Sequence, residues 1–388
     1  MEEARLNHKK LIWILYCSRK GGHTYPVKAL DSYITENYDS NFSTKVINLL
    51  DILPIASLIE KLGRYGDLKF RRAWRYGYKN LQAENPVFLE IWRWLQGLLF
   101  NLDNLHSKLS TLASKPDLIV SIQPEVNALS PFFKKWYGVP IHTIIIDLAF
   151  HGLWLDKLID HYYVFNSILS NDLQQRGINR SQITVSGVPL RPSFSNIVKI
   201  NPKAIREKLG ISEELPTILL LGGLLGAMVD FDQVIQSIIE LNLPLQLLVI
   251  YGKNEKSREK FSKMQQNSKT VIYPYGVVSN MDEMIWAADL IISKPGSVTM
   301  AESLALNKPM LVILPEAGSF QEFRFAQFLQ ENGAGRWIER PQAAGPVIKE
   351  ILFTSSLYQK MKANAQKLGS QSLSANKTIM ENLIKSLN

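Results

Sequence analysis

The sequence predicts an α/β protein of two doubly wound domains, each with a parallel sheet covered on both faces. The chain has 388 residues, more than one ordinary core holds, so two domains are expected. Short continuous apolar runs alternate with helix-period stretches, the pattern of strands buried on both sides. A glycine-rich loop follows the first such run of each half, "SRKGGH" at 18–23 and "LLLGGLLG" at 219–226. Loops of this kind let the backbone approach a ligand at a strand's carboxyl end.

The strand-like runs of the first half are Leu11–Tyr16, Leu118–Ile122, Ile141–Ile146, Tyr162–Phe165 and Ile183–Ser186. Those of the second half are Ile218–Leu221, Leu245–Tyr251, Val271–Tyr273, Leu290–Ser293 and Met310–Leu314. Between the halves, "VPLRPSFSNIVKINPK" has neither period and contains three prolines. This places the boundary near 192–202 and the domains at 1–195 and 196–388, with the last helix free to pack back on the first. Twin domains of this class bind ligands in the cleft between them.

The segment 58–105 does not fit the alternation. From Phe88 the residues Phe88, Ile91, Trp92, Leu95, Leu98, Leu99 and Leu102 follow helical spacing. Before it, "KLGRYGDLKFRRAWRYGYK" (61–79) holds seven basic residues and one acid, a large share of the net charge of +9. Large apolar and aromatic side chains beside Arg71, Arg72, Trp74, Arg75 and Trp92 suit an anionic membrane surface. The same spacing also fits a core helix with a solvated face beside it. The polar start and the longest apolar runs predict neither a secretory signal nor a membrane span. The single cysteine, Cys17, excludes an internal disulfide, and no Cys/His metal spacing occurs. A nucleic-acid partner is disfavoured because no reader motif accompanies the basic patch. A P-loop ATPase is excluded because GxxxxGK[ST] is absent.

The most informative stretch is "LIISKPGSVTMAESLALNKPMLVILP" (290–315). A strand runs through Lys294-Pro295-Gly296 into a helix opening near Ser297, Val298 and Thr299. Such a helix N-terminus suits a diphosphate. Glu302, about one turn in, is placed to accept hydrogen bonds from ribose hydroxyls. Asp230 and Asp232 read as helix-start acids rather than a metal pair.

This stretch resembles the donor-site signature of the inverting glycosyltransferases of the GT-B fold, family 28, in particular the monogalactosyl- and glucosyl-diacylglycerol synthases. The resemblance is collinear over nearly the whole chain. It includes "GGH", "PIHTIIIDLAFHGLWLDKLIDHYYVFN" (140–166), "ITVSGVPLRPSF" (183–194), "YPYGVVSNMDEMIWAADLIISKPGS" and "PEAGSFQEFRFAQFLQENGAG" (315–335). Ser297 departs from the family's Pro-Gly-Gly, and Phe325 and Gln327 stand where asparagines are common. The resemblance implies two Rossmann-like domains facing a central cleft, with no tightly bound cofactor and no metal.

By this resemblance the second domain binds a UDP-sugar, UDP-glucose or UDP-galactose. Ser297 and Thr299 would hold the diphosphate, and Gly222, Gly223, Gly296 and Val298 would belong to the same nucleotide-sugar site. Glu302 would hold the ribose, Gly276 and Val278 the uracil, and Gln321 and Glu322 the sugar hydroxyls. The acceptor is a lipid alcohol, diacylglycerol or another, bound by the first domain near Gly22, His151 and Trp154. Its hydroxyl needs a base. His23 is the first candidate, because a helix N-terminus keeps an imidazole neutral. Asp147, ending an apolar strand, is the second. The expected setting is the cytoplasmic face of a membrane. A UDP-sugar 2-epimerase of the same fold and a non-catalytic nucleotide-sugar or lipid binder remain as alternatives.

Overall fold

A computed structural model describes residues 9–18, 22, 24–52, 102–147, 152–222, 230–262, 268–314 and 320–387. The chain divides into two compact units, residues 1–191 with 374–388, and residues 192–373. Among the described residues each unit holds one parallel six-stranded sheet.

In the first unit, β1 (Lys10–Tyr16) leads into α1 (Thr24–Tyr38), followed by β2 (Phe42–Asn48) and the single turn α2 (Leu49–Ile52). Next come α3 (Leu102–Leu112), β3 (Leu118–Ser121), α4 (Pro124–Asn127), α5 (Ser130–Tyr137) and β4 (Ile141–Ile145). β5 (His161–Val164), α6 (Ser167–Gln175) and β6 (Ile183–Val185) complete it. The strand order is β2-β1-β3-β4-β5-β6. Ile12, Trp13, Ile14 and Leu15 are wholly buried because β1 lies inside the sheet. α1 buries Val27, Leu30 and Ile34, and its Pro26 sits in the first turn, where no intrahelical bond is lost. α6 starts at Asn166, whose side chain accepts from the Leu169 N–H.

The second unit opens with α7 (Pro192–Ile197) and α8 (Pro202–Lys208), then β7 (Thr217–Leu221) and α9 (Phe231–Ile239). It continues through β8 (Gln246–Ile250), α10 (Glu255–Ser262), β9 (Val271–Tyr275) and α11 (Met281–Ala287). Then follow β10 (Leu290–Ser293), α12 (Ser297–Ala305), β11 (Met310–Ile313), α13 (Phe320–Glu331) and β12 (Gly335–Ile338). α14 (Ala344–Phe353) and α15 (Ser355–Gly369) close the unit, and α16 (Ala375–Leu387) belongs to the first. The strand order is β12-β11-β10-β7-β8-β9. α9 buries Phe231, Val234, Ile235 and Ile238 at helical spacing, against a core shared with Ile218, Leu220, Leu247 and Ile348. Asp230 caps α9 by accepting from the Gln233 N–H, which bears out its reading as a helix-start acid.

The ten expected strands are present, with ends within a residue or two. Two strands escaped the sequence reading, β2 and β12. Both are edge strands and only part-buried, so neither is a continuous apolar run. The expected helix from Phe88 and the basic segment 61–79 lie outside the described residues. No helix among the described residues is long and apolar enough to cross a membrane.

Candidate active site

Each sheet reverses its winding once. In the second unit the chain goes β7-β8-β9 in one direction, then returns to add β10, β11 and β12 on the other side of β7. The switch point therefore lies between β7 and β10, where a doubly wound sheet opens a crevice at the carboxyl ends of its strands. The register Ile292↔Leu220 fixes this junction. β7 ends at Leu221, and Gly222 extends its pairing with β8 by donating to Ile250 O at 3.2 Å. β10 ends at Ser293 and delivers Lys294, Pro295 and Gly296 to the same edge.

α12 begins there. Gly296 is its N-cap in extended backbone, with no side chain capping the turn and no acid in the first turn. The first intrahelical bond is Met300 N–H to Gly296 O, 2.9 Å. The N–H groups of Ser297, Val298 and Thr299 thus precede the intrahelical ladder, and together with the helix dipole they favour an anion. Ser297 and Thr299 are half-buried, while Val298 and Glu302 are buried. Lys294 Nζ pairs with Glu322 Oε1 at 3.0 Å, joining the loop before α12 to the first turn of α13.

The remaining candidates follow the same edge. Gly276 and Val278 come directly after β9, three strands from β10. Neighbouring strands lie about 4.8 Å apart, so that distance is roughly 14 Å. Gly276 lies against α10, where an added Cβ would be 3.5 Å from Glu255 Oε1 and 3.7 Å from Gly252 O. Glu322 stands beyond β11, on the opposite side of the switch point. Gln321 is in the first turn of α13, but its side chain lies outside the described residues, as does Gly223.

In the first unit the switch point falls between β1 and β3. Cys17 N–H donates to the Gln123 side-chain oxygen just after β3. Ser18 is held both ways by Asn48: its N–H donates to Oδ1 at 3.2 Å and its carbonyl accepts from Nδ2 at 3.0 Å. The glycine loop therefore springs from a pinned base. Gly22 O accepts from Tyr25 N–H at 3.2 Å as α1 begins. Burial, then Glu125, pushes the Cys17 thiol well above its ordinary range, so it stays protonated.

Asp147 follows β4 on the same edge, two strands from β1, and is 4% exposed. Near it, Thr143 Oγ1 donates to Asn127 Oδ1 at 3.1 Å, and Asn127 Nδ2 donates to Trp154 O at 2.9 Å. Trp154 is wholly buried in a single 3₁₀ turn, Gly152–Trp154. His23, His151, Arg71, Arg72, Trp74, Arg75 and Trp92 lie outside the described residues. Among the described residues no three of His, Cys, Asp and Glu gather as a metal-binding set. Sequence reasoning passed over Lys294, Gln123 and Asn127. Lys294 was in view within the quoted motif, but nothing local to it announces a partner 28 residues away.

A family profile described as monogalactosyldiacylglycerol (MGDG) synthase matches residues 23–190, and one described as the glycosyltransferase family 28 C-terminal domain matches residues 217–383. The chain belongs to glycosyltransferase family 28. Among curated relatives of this family member, the processive diacylglycerol beta-glucosyltransferase of Bacillus pumilus is 28% identical over 70% of the chain and 69% of that protein. That of Bacillus thuringiensis is 28% identical over 60% and 59% respectively, so the match spans about three fifths of that relative. Among solved structures, MurG of Acinetobacter baumannii superposes with a TM-score of 0.61 at 14% identity, covering 97% of this chain and 100% of that one. A UDP-GlcNAc 2-epimerase from Neisseria meningitidis, bound to UDP-GlcNAc, gives 0.57 at 16% identity over 97% and 100%. At these identities the superpositions establish the GT-B fold, which glycosyltransferases and epimerases share. The family profiles decide between them.

Proposed function

We propose that this family 28 protein transfers a hexose from a UDP-sugar to the hydroxyl of diacylglycerol or a related long-chain lipid alcohol, with inversion at the anomeric carbon. The observation that carries the donor half is the order of residues along the carboxyl edge of the second sheet. Gly276 and Val278 after β9, Gly222 after β7, Gly296–Thr299 after β10 and Glu322 beyond β11 succeed one another in that order. A nucleotide sugar runs in the corresponding order from base through diphosphate to hexose. The roughly 14 Å from β9 to β10 is comparable to the reach from uracil to diphosphate. Relatives named as diacylglycerol glucosyltransferases support the acceptor class.

In this reading the N–H groups of Ser297, Val298 and Thr299 take the charge that develops on the diphosphate as its bond to the anomeric carbon breaks. Fixed donors of this kind need no reorganisation during reaction. Glu302 binds ribose, and Glu322 with Gln321 binds the hexose. His23 accepts the proton of the acceptor hydroxyl as that oxygen forms its bond to the anomeric carbon. Buried Asp147, on the same edge, orients the base or takes its place. The basic segment 61–79 docks the protein on the anionic inner face of a membrane, each basic residue near the surface contributing about 1 kcal/mol.

The test is product analysis with UDP-glucose and UDP-galactose against a panel of lipid alcohols in anionic vesicles. His23→Ala is expected to lose transfer by about two to four orders of magnitude while binding UDP normally. Wild-type-like turnover in that variant would transfer the base role to Asp147. Release of free 2-epimerised sugar with no glycolipid would replace the reading by the epimerase.

A further inference from the structure

The ion pair between Lys294 and Glu322 has no part in the reaction as described so far, yet it joins the loop proposed to hold phosphate to the helix proposed to hold sugar. We propose that Lys294 is a ligand of the donor diphosphate and that Glu322 is its stand-in partner while the site is empty. On this proposal donor binding exchanges the pair: the ammonium turns to the phosphate oxygens and the carboxylate is released to the hexose hydroxyls. It rests on the nucleotide-sugar reading of the same edge.

Three features of the structure carry it. The first is position. Lys294 directly follows β10 at the switch point, and its Cε lies 4.0 Å from where a Cβ on Gly296 would sit. Its side chain therefore passes beside Gly296, the N-cap of α12, on its way to Glu322. The second is charge. Lys294 stands two residues before the N-cap at the positive end of α12, and the first turn of α12 supplies no acid. A lysine on the short loop that leads into a positive helix end favours an anion at that loop. Glu322 provides one negative charge where a diphosphate brings more.

The third is accessibility. The two side chains are 34% and 24% exposed. Such a pair contributes little to folding and exchanges readily. The Arg206–Asp289 pair of the same unit shows what a fixed structural pair looks like. Arg206 is 11% exposed and also donates to the carbonyls of Ala287, Glu213 and Leu215. Among the described residues, the Lys294 ammonium pairs with Glu322 Oε1 on a neighbouring helix rather than with a set of carbonyls.

The experiment is titration calorimetry of the full chain with UDP, which lacks the sugar, and with UDP-glucose. Lys294→Gln should weaken UDP binding by about tenfold or more, the loss of a charge-assisted contact. Glu322→Gln should do the opposite and tighten UDP binding by roughly two- to fivefold, because the empty-state competitor is gone. It should also shrink the extra affinity that the glucose moiety confers. The gain must vanish in the Lys294→Gln/Glu322→Gln double variant. Thermal melts of the single variants close to wild type exclude misfolding as the cause. UDP binding that is unchanged or weaker in Glu322→Gln, or a gain that survives in the double variant, overturns the exchange while leaving the nucleotide reading intact. Wild-type protein that binds no UDP overturns the nucleotide reading itself.

Discussion

Gly369 is the last residue of α15, and α15 lies directly against α12, the helix whose N-terminus is proposed to hold the diphosphate. A Cβ at residue 369 would meet the Leu304 carbonyl carbon at 2.3 Å, Leu304 Cβ at 2.5 Å and Ala305 N at 2.6 Å. Ordinary carbon contacts begin near 3.5 Å, so Gly369→Ala requires the helices to separate by roughly 1 Å. Two of the three obstructing atoms are backbone, so no rotamer change relieves them. Overpacking of this kind costs about 1–3 kcal/mol, and here the upper half of that range applies. Alanine returns up to about 1 kcal/mol through its helix propensity, less at a helix end. The net expectation is a loss of about 2 kcal/mol, or roughly 4–8 °C in the melting of a unit this size. Urea and thermal unfolding followed by circular dichroism would measure it, and UDP affinity should fall in parallel because α12 moves. Gly210→Ala is the control. Its φ is +68° and nothing lies within 4 Å of its Cβ, so only backbone strain of about 1–2 kcal/mol applies and UDP affinity should be unchanged. A Gly369→Ala variant that melts at or above wild type would refute the close-packing account.

Arg206→Met should cost about 3 kcal/mol in urea unfolding. It leaves three carbonyls and Asp289 without their cation, at the low end for a buried pair because the Asp289 side chain is 29% exposed. His142 gives an acid dependence. Burial, then His161, lowers its pKa to about 3, so the fold holds it neutral while the unfolded chain takes up a proton near pH 6.5. Its contribution is complete above pH 6.5 and is lost as pH falls towards 3, and His142→Gln should flatten that part of the stability profile. Lys308 acts in a higher window. Burial lowers its pKa to about 7, so its contribution is complete above about 10.5 and declines as pH falls towards 7. Lys308→Met should make stability less dependent on pH between those limits.

The buried strands were legible because a strand covered on both faces must be apolar throughout. β2, "FSTKVIN", and β12, "GRWI", were not, because an edge strand keeps polar or half-exposed positions. The strand–loop–helix junction at Gly296 was legible because strand, glycine, hydroxyl residues and helix occur within one short stretch. The Lys294–Glu322 and Arg206–Asp289 pairs were not, since each joins residues that only the sheet order brings together. Trp154 was singled out, with His151, as a residue near the acceptor. Its carbonyl accepts from Asn127 of α4, a contact that no local pattern encodes.

The membership of α16 has a consequence for biosynthesis. The chain leaves the first unit after Arg191 and rejoins it at Ser374, where Asn376 Nδ2 donates to Leu190 O at 2.7 Å. Ile379, Met380 and Leu383 of α16 are buried, and the helix lies beside α1. During synthesis the second unit, contiguous in sequence, can close as soon as it emerges, whereas the first must wait for residues 374–388, made after the second. The half that is translated first is therefore the half that matures last. Separately expressed halves cut at residue 191 would leave a first unit with an uncovered apolar face, while a circular permutant that moves residues 374–388 ahead of residue 9 would make that unit contiguous.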